Sequence, residues 1–227
     1  MKSGAIATVG IASLSMMGRA QTNKNSKLRI LQIGVDGIGN TDRGQLQRHP
    51  MVEFAGFCDV NGAAIDKIAK DFPKAWRLAD YREAFANRAD EFDAVIVDTP
   101  DFNHAPMMLT ALNHRKHLYG QKPLVHQLNE LRMMRDGLAA RPDLITQMGN
   151  QRSCNPGRMR AVEILRSNRL GKPIEAHVWT GGVSRGHYFD DPWSEYKPAQ
   201  PIPNDLDWDL WQGPLTTKIP YNDSIAP

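Results

Sequence analysis

Between Leu28 and Asp59 the chain runs strand, glycine-rich turn, helix, strand and terminal acid, an order that leaves little freedom of fold. Leu28 to Ile33 is an apolar run of strand length, followed at once by Gly34-Val35-Asp36-Gly37-Ile38-Gly39 and a helix-compatible stretch to Gln47. Val52 to Cys58 reads as the second strand and ends on Asp59, 20 residues past Gly39. Glycines let the backbone approach a diphosphate, the following helix offers its N-terminal amides, and an acid at that distance can hold ribose hydroxyls. The spacing therefore points to a dinucleotide site, with Gly34, Gly37, Ile38, Gly39 and Asp59 as cofactor-binding candidates. Val60 and Asn61 follow Asp59, so no Arg stands there to receive a 2′-phosphate, and NAD is favoured over NADP.

One position departs from the G-x-G-x-x-G pattern, because Asp36 stands where the middle glycine is expected. A carboxylate about 5 Å from a phosphate charge, at an effective dielectric near 20, costs roughly 3 kcal/mol, about a hundredfold in affinity. Two outcomes stay open at this stage. Either the carboxylate faces the diphosphate and weakens binding, or it points to solvent and Gly37 shifts the turn.

Further βα units follow. Residues 61–71 have helical spacing, 81–87 form a short helix, and 93–97 a buried strand running into Thr99-Pro100-Asp101-Phe102-Asn103-His104. A helix is expected over 105–113, with Pro106 in its first turn, then a strand at 117–119 stopped by Gly120-Gln121-Lys122-Pro123-Leu124. A helix over 127–138 and a strand over 144–148 lead to Gly149-Asn150-Gln151. Strands alternating with helices at these intervals predict an α/β fold with a Rossmann-type doubly wound parallel sheet. Ligands belong at the C-terminal ends of such strands, where Gly34, Asp59, Thr99, Gln121, Lys122 and Asn150 fall.

The rest of the chain bounds the reading. With 41% hydrophobic and 23% charged residues in 227, a packed core is expected, and without an internal repeat neither fibrous nor disordered classes fit. A net charge of +3, from 28 basic and 25 acidic residues, is too mixed to imply a nucleic-acid partner. Cys58 and Cys154 form neither a disulfide framework nor a metal pattern, so no metal site is expected. Residues 1–26 have a signal-peptide layout, with Lys2, an uncharged small and apolar stretch, then Arg19-Ala20. That stretch is too short and too rich in Gly, Ser and Thr for a membrane span. It is also similar to the middle of a twin-arginine export signal, which implies an exported or periplasmic protein, or a cytoplasmic one if the signal does not function.

The chain divides into this signal-like segment (1–26), a dinucleotide-binding domain (27–150) and a partial C-terminal substrate domain (151–227). In the last part, a helix is expected over 157–167, ended by Gly171, and a half-buried strand over 174–180. One strand in about 75 residues cannot make a full sheet, so an exposed apolar face is expected. Tyr188, Trp193, Tyr196, Trp208, Trp211 and Tyr221 suit stacking on sugar faces or core packing equally.

Four stretches together resemble the Gfo/Idh/MocA family of oxidoreductases. They are Ile33 to Gly39 with Asp59, Thr99-Pro100-Asp101-Phe102-Asn103-His104 against T-P-x-x-x-H, Gln121-Lys122-Pro123-Leu124 against E-K-P-L, and Gly149-Asn150-Gln151. The segment Leu206-Asp207-Trp208-Asp209-Leu210-Trp211-Gln212-Gly213-Pro214 looks like an often exported subgroup. The resemblance implies a Rossmann domain followed by an α/β domain with an open sheet, and hydride transfer between NAD(P) and a sugar or cyclitol hydroxyl. It implies that Lys122 touches the reacting hydroxyl, that Thr99, Pro100 and His104 line the cofactor channel, and that Asp59 holds the adenosine ribose. Lys122 before Pro123 can polarise an alcohol oxygen and help relay its proton. Gln121 replaces the family's Glu, so a charge partner of Lys122 becomes a neutral amide. The family's G-D-x-x-x-H segment does not occur before Pro227, and none of the seven histidines stands in such a motif. Two expectations follow: an NAD-dependent oxidoreductase of a sugar-like polyol, or a truncated, non-catalytic member that keeps weak nucleotide binding or an interaction role. NAD-dependent glycoside cleavage, known among exported relatives, ranks third. Oligomerisation through the second-domain sheet, common in full-length relatives, is not carried over.

Overall fold

The computed structural model describes residues 27–151, 153–179 and 198–223. The signal-like segment lies outside the described residues, as do Thr180, Gly182, His187, Tyr188, Trp193 and Tyr196. Six parallel strands form one sheet: β1 (Leu28–Ile33), β2 (Val52–Cys58), β3 (Trp76–Leu78), β4 (Ala94–Val97), β5 (His117–Gly120) and β6 (Thr146–Met148). Their order is β3-β2-β1-β4-β5-β6, so the chain reverses direction across the sheet between β1 and β4. Ligand crevices open at such a reversal, outside the carboxyl ends of the strands.

Helices cover both faces. They are α1 (Ile38–Leu46), α2 (Gly62–Ala69), α3 (Tyr81–Asn87), α4 (His104–Asn113) and α5 (Leu128–Ala139). Successive side chains of a strand point to opposite faces, so β1 feeds two cores. Ile30 packs with Phe54, Phe57, Ile65, Ile68 and Ile96 on one side. Leu31 and Ile33 pack with Phe85, Phe92, Val95, Val97, Met108 and Leu112 on the other. The starts of the helices follow local chemistry. Asn61 caps α2 by accepting from the Ala64 N–H, Asp80 caps α3 by accepting from the Arg82 N–H, and Gln127 with Glu130 forms a capping box at α5.

The second segment departs from expectation. α6 (Pro156–Arg166) forms where its Asn155-Pro156 start predicts, yet buries none of its residues. The strand expected over 174–180 is absent from its described part. Residues 171–179 have no regular structure, with Ile174 98% and Val178 95% exposed. Alternating apolar residues make a strand only beside another strand, and among the described residues none lies alongside. β3 went unread because three residues at a sheet edge carry too little pattern.

Residues 198–223 return to the first domain. Leu206 bridges antiparallel to Asn61, the Gly62 N–H donates to the Asp205 carbonyl at 2.7 Å, and the Asp207 N–H donates to the Val60 carbonyl at 2.9 Å. The short helix α7 (Trp208–Gln212) follows, with Trp208 buried. The boundary expected at 150/151 thus divides the chain in sequence, while its last segment packs with the Rossmann domain.

Candidate functional site

A cleft of about 850 Å3 opens where β1 and β4 diverge, and the last segment forms its outer wall. Its floor is the glycine turn. Gly34 has φ +88°, and a Cβ there would lie 2.6 Å from the Asp98 carbonyl oxygen, so only glycine lets the turn cross β4. Gly39, in the first turn of α1, is packed as closely, since a Cβ would meet the Gly34 carbonyl oxygen at 2.3 Å. Gly37 (φ +53°) is the N-cap of α1 and supplies no capping side chain, so a nine-residue helix opens on the cleft without a side-chain cap, while the Gly39 N–H donates to the Asp36 carbonyl at 2.9 Å. Gly34, Gly37 and Ile38 line the cleft, while Gly39 supports it from behind.

The structure decides between the two outcomes at Asp36. Its Oδ1 accepts from the Gly37 N–H at 2.9 Å, its Oδ2 pairs with Lys67 Nζ at 3.6 Å, and 64% of the side chain is exposed. The carboxylate borders the cleft but leans toward α2 and solvent, and the left-handed Gly37 takes up the change in the turn.

Asp59 stands at the end of β2 as expected. Its Oδ2 accepts from the Val35 N–H at 2.8 Å and its Oδ1 from the Asn61 N–H at 2.9 Å. Burial raises its pKa above the usual carboxylate range, and those backbone donors oppose the rise. With Val60 as a further backbone donor, the carboxylate still has acceptor capacity for a ribose hydroxyl. Arg82, on the same rim, is held bidentate by Asp80 at 2.7–2.9 Å. Thr99 and Pro100 line the cleft. His104 does not; its fully buried ring lies behind them, with Nε2 2.8 Å from the Thr99 carbonyl and Nδ1 2.6 Å from the Pro123 carbonyl. It ties the Thr99 wall to the turn that carries Lys122.

Lys122 and Asn150 lie outside the cleft lining, both exposed at the ends of β5 and β6. Gln121 is buried beneath them, and its amide donates to Asp42 Oδ2 at 2.6 Å. This contact belongs to a polar group that the sequence reading passed over: Gln32, Asp42, Arg43 and Asp98, all buried. A Gln inside the apolar run of β1 was the available signal. Burial, with Asp42 close by, pushes the Asp98 carboxyl up to about 8. Burial and the same two carboxyls push Tyr119 up to about 12.

The outer wall was also missed. Trp211 lines the cleft, stacks on Trp208 at 4.5 Å and meets Phe102 edge to face at 5.4 Å. The Asn103 amide donates to the Trp211 carbonyl at 3.0 Å. Among the described residues, no cluster of three or more His, Cys, Asp or Glu could hold a metal ion, and no helix is long and apolar enough to cross a membrane. Cys58 and Cys154 are both free.

Comparison with known proteins agrees with this geometry. The model of an oxidoreductase family with an NAD-binding Rossmann fold matches residues 28–148, more than half of the chain. Inositol 2-dehydrogenase of Salmonella typhimurium is 26% identical over 180 residues, 76% of this chain and 50% of that protein. An alpha-N-acetylgalactosaminidase of Shewanella oneidensis is 28% identical over 116 residues, 46% of this chain and 25% of that protein. The chain thus spans about half the length of the inositol dehydrogenases it matches. Myo-inositol 2-dehydrogenase of Lactobacillus plantarum superposes with a TM-score of 0.61 at 21% identity, over 65% of this chain and 43% of the other. Scyllo-inositol dehydrogenase of Lactobacillus casei, solved with NAD(H) and scyllo-inositol, gives 0.59 at 20%, over 64% and 43%.

Proposed function

Because the chain belongs to the Gfo/Idh/MocA family of oxidoreductases, we propose that it binds NAD in the cleft above β1 and serves hydride transfer at a hydroxyl of a sugar or cyclitol. The observation that carries this reading is the cleft floor: a helix start without a side-chain cap, a glycine turn pressed against β4, and Asp59 at the rim with acceptor capacity left. Gly34, Gly37 and Ile38 receive the diphosphate, with Gly39 packed behind the turn, and Asp59 the adenosine ribose. A carboxylate there repels a 2′-phosphate, and Arg82, clamped by Asp80, is not offered to one, so NAD is preferred to NADP. Thr99 and Pro100 wall the channel, held by His104. When bound, NAD would supply the acceptor for the hydride of the alcohol carbon, the hydroxyl proton leaving to solvent. Lys122 is assigned to polarise the hydroxyl oxygen. Its support is the turn it shares with Pro123, tied through His104 to the cleft wall. Gln121 holds that turn from below, and Asn150 borders it.

The relatives' names support the substrate class, inositol dehydrogenases being prominent among them. Calorimetric titration of the full chain with NAD and NADP tests the cofactor. Micromolar NAD and at least about tenfold weaker NADP are expected, and a folded protein that takes up no NAD at millimolar concentration overturns the reading. Lys122→Ala should keep NAD binding and lose turnover of inositols. Export is proposed from the layout of residues 1–26 alone. A reporter fused behind them should reach the periplasm, and a cytoplasmic reporter counts against it.

A further inference from the structure

Beneath the turn that carries Lys122 lies a buried pair of acids, Asp42 on α1 and Asp98 just past β4, each 7% exposed. Their partners fix where hydrogens must be. The Gln32 Oε1 accepts from Arg43 Nη1 at 3.4 Å, so its amide group donates, reaching Asp98 Oδ2 at 2.8 Å. The Gln121 Oε1 accepts from the Lys122 N–H at 3.3 Å, and its amide group donates to Asp42 Oδ2 at 2.6 Å. Gln151 donates to Asp42 Oδ1 at 3.3 Å. Both Asp42 oxygens are therefore acceptors. Asp98 Oδ1 is buried without a hydrogen-bond partner, and Asp42 is the acid whose charge and side-chain hydrogen bond act on the Asp98 carboxyl. A carboxylate oxygen left so is costly, whereas a carboxylic acid hydroxyl needs an acceptor, which Asp42 provides.

We propose that Asp98 carries a proton that it donates to Asp42, and that this carboxyl pair is the positioning element for the turn bearing Gln121 and Lys122. The link is continuous: Asp98 to Asp42, Asp42 to the Gln121 amide, and the Gln121 carbonyl to the Lys122 N–H. It couples the helix that opens the diphosphate site to the residue assigned to the hydroxyl, and in that catalytic sense it rests on the function proposed above. Two further ionisable groups face the pair, Arg43 from α1 and Tyr119 from β5. Arg43 is engaged by the Val35 carbonyl at 2.7 Å and by Asn40 Oδ1 at 2.6 Å. Loss of the shared proton sets two carboxylates against each other and loosens the grip on Gln121.

The test is an NMR titration of the cofactor-free full chain, reading the Asp98 carboxyl carbon and the Lys122 amide. Asp98 should remain protonated at neutral pH and titrate near pH 8, and the Lys122 amide should shift with the same midpoint. In Asp98→Asn, whose amide donates as the acid does, the Lys122 signal should stay at its low-pH position throughout. If that variant does not fold, Gln121→Leu serves instead: Asp98 should titrate as before while the Lys122 amide becomes insensitive. An Asp98 already ionised in mildly acidic solution, or a Lys122 amide that is flat in the native chain or unchanged in either variant, overturns the proposal. No cofactor is present, so failure to bind NAD sinks the proposed function without touching this result. Where turnover is measured, kcat should fall above about pH 8 in the native chain and hold level in Asp98→Asn.

Discussion

At Asp36 a side chain stands on the phosphate turn where backbone alone is expected, and its neighbours decide how much it matters. Exposed and paired with Lys67, it opposes a diphosphate by much less than the unshielded estimate of roughly 3 kcal/mol. Asp36→Gly should tighten NAD roughly threefold to tenfold, about 1 kcal/mol, by calorimetry at moderate salt. An unchanged affinity means that the carboxylate does not sense the cofactor. At Asp98 the folded-state pKa is raised by burial from 3.8 to about 8, so its contribution to stability is full below about pH 4 and is lost as pH rises through about 8. Urea unfolding between pH 5 and 9 should show stability falling with pH, and Asp98→Asn should flatten that slope. Gly34, Gly39 and Asp59 were legible because their spacing is local and their geometry admits few residues. The Gln121 contact with Asp42 joins positions 79 apart, and no local pattern announces such a pair.

Among the elements, the last segment is held at few points, and Gly213 is the most exacting. It has φ +50°, and a Cβ would lie 1.8 Å from Asn103 Oδ1, the side chain that holds the Trp211 carbonyl. Gly213→Ala should strain the turn and break that hold, costing about 1–3 kcal/mol. Limited proteolysis should then cut within residues 198–223 faster than in the native chain, and equal rates would mean that the segment is anchored elsewhere. Strands β1, β2, β4, β5 and β6 and the helices α1 to α6 were readable within a few residues, because periodicity and caps are written locally. The strand expected at 174–180 was not there to find in its described part, since an alternating run becomes a strand only through its neighbours. The return of residues 198–223 to the first domain is likewise a matter of tertiary packing, which the Asp207 cap of α7 does not reveal.

For the whole molecule, the Rossmann half buries a core on each face of its sheet, while the stretch after it buries none of the residues of α6. Met159, Leu165, Leu170, Ile174, Val178 and Trp179 are all exposed, in keeping with the apolar face expected from one strand without a sheet. Sedimentation velocity on this chain should show mass rising with concentration, and Ile174→Lys with Val178→Lys should reduce it; a monomer at every concentration would mean that these side chains find cover within the chain. The stacked indoles of Trp208 and Trp211 have a different consequence. Trp211 sits in the wall of the cleft where the proposed cofactor enters, with Trp208 stacked behind it. Indoles emit at wavelengths that reduced nicotinamide absorbs and the oxidised form does not, so NADH should quench their fluorescence and NAD leave it bright. The protein therefore carries a built-in optical gauge of the redox state of whatever nicotinamide occupies it.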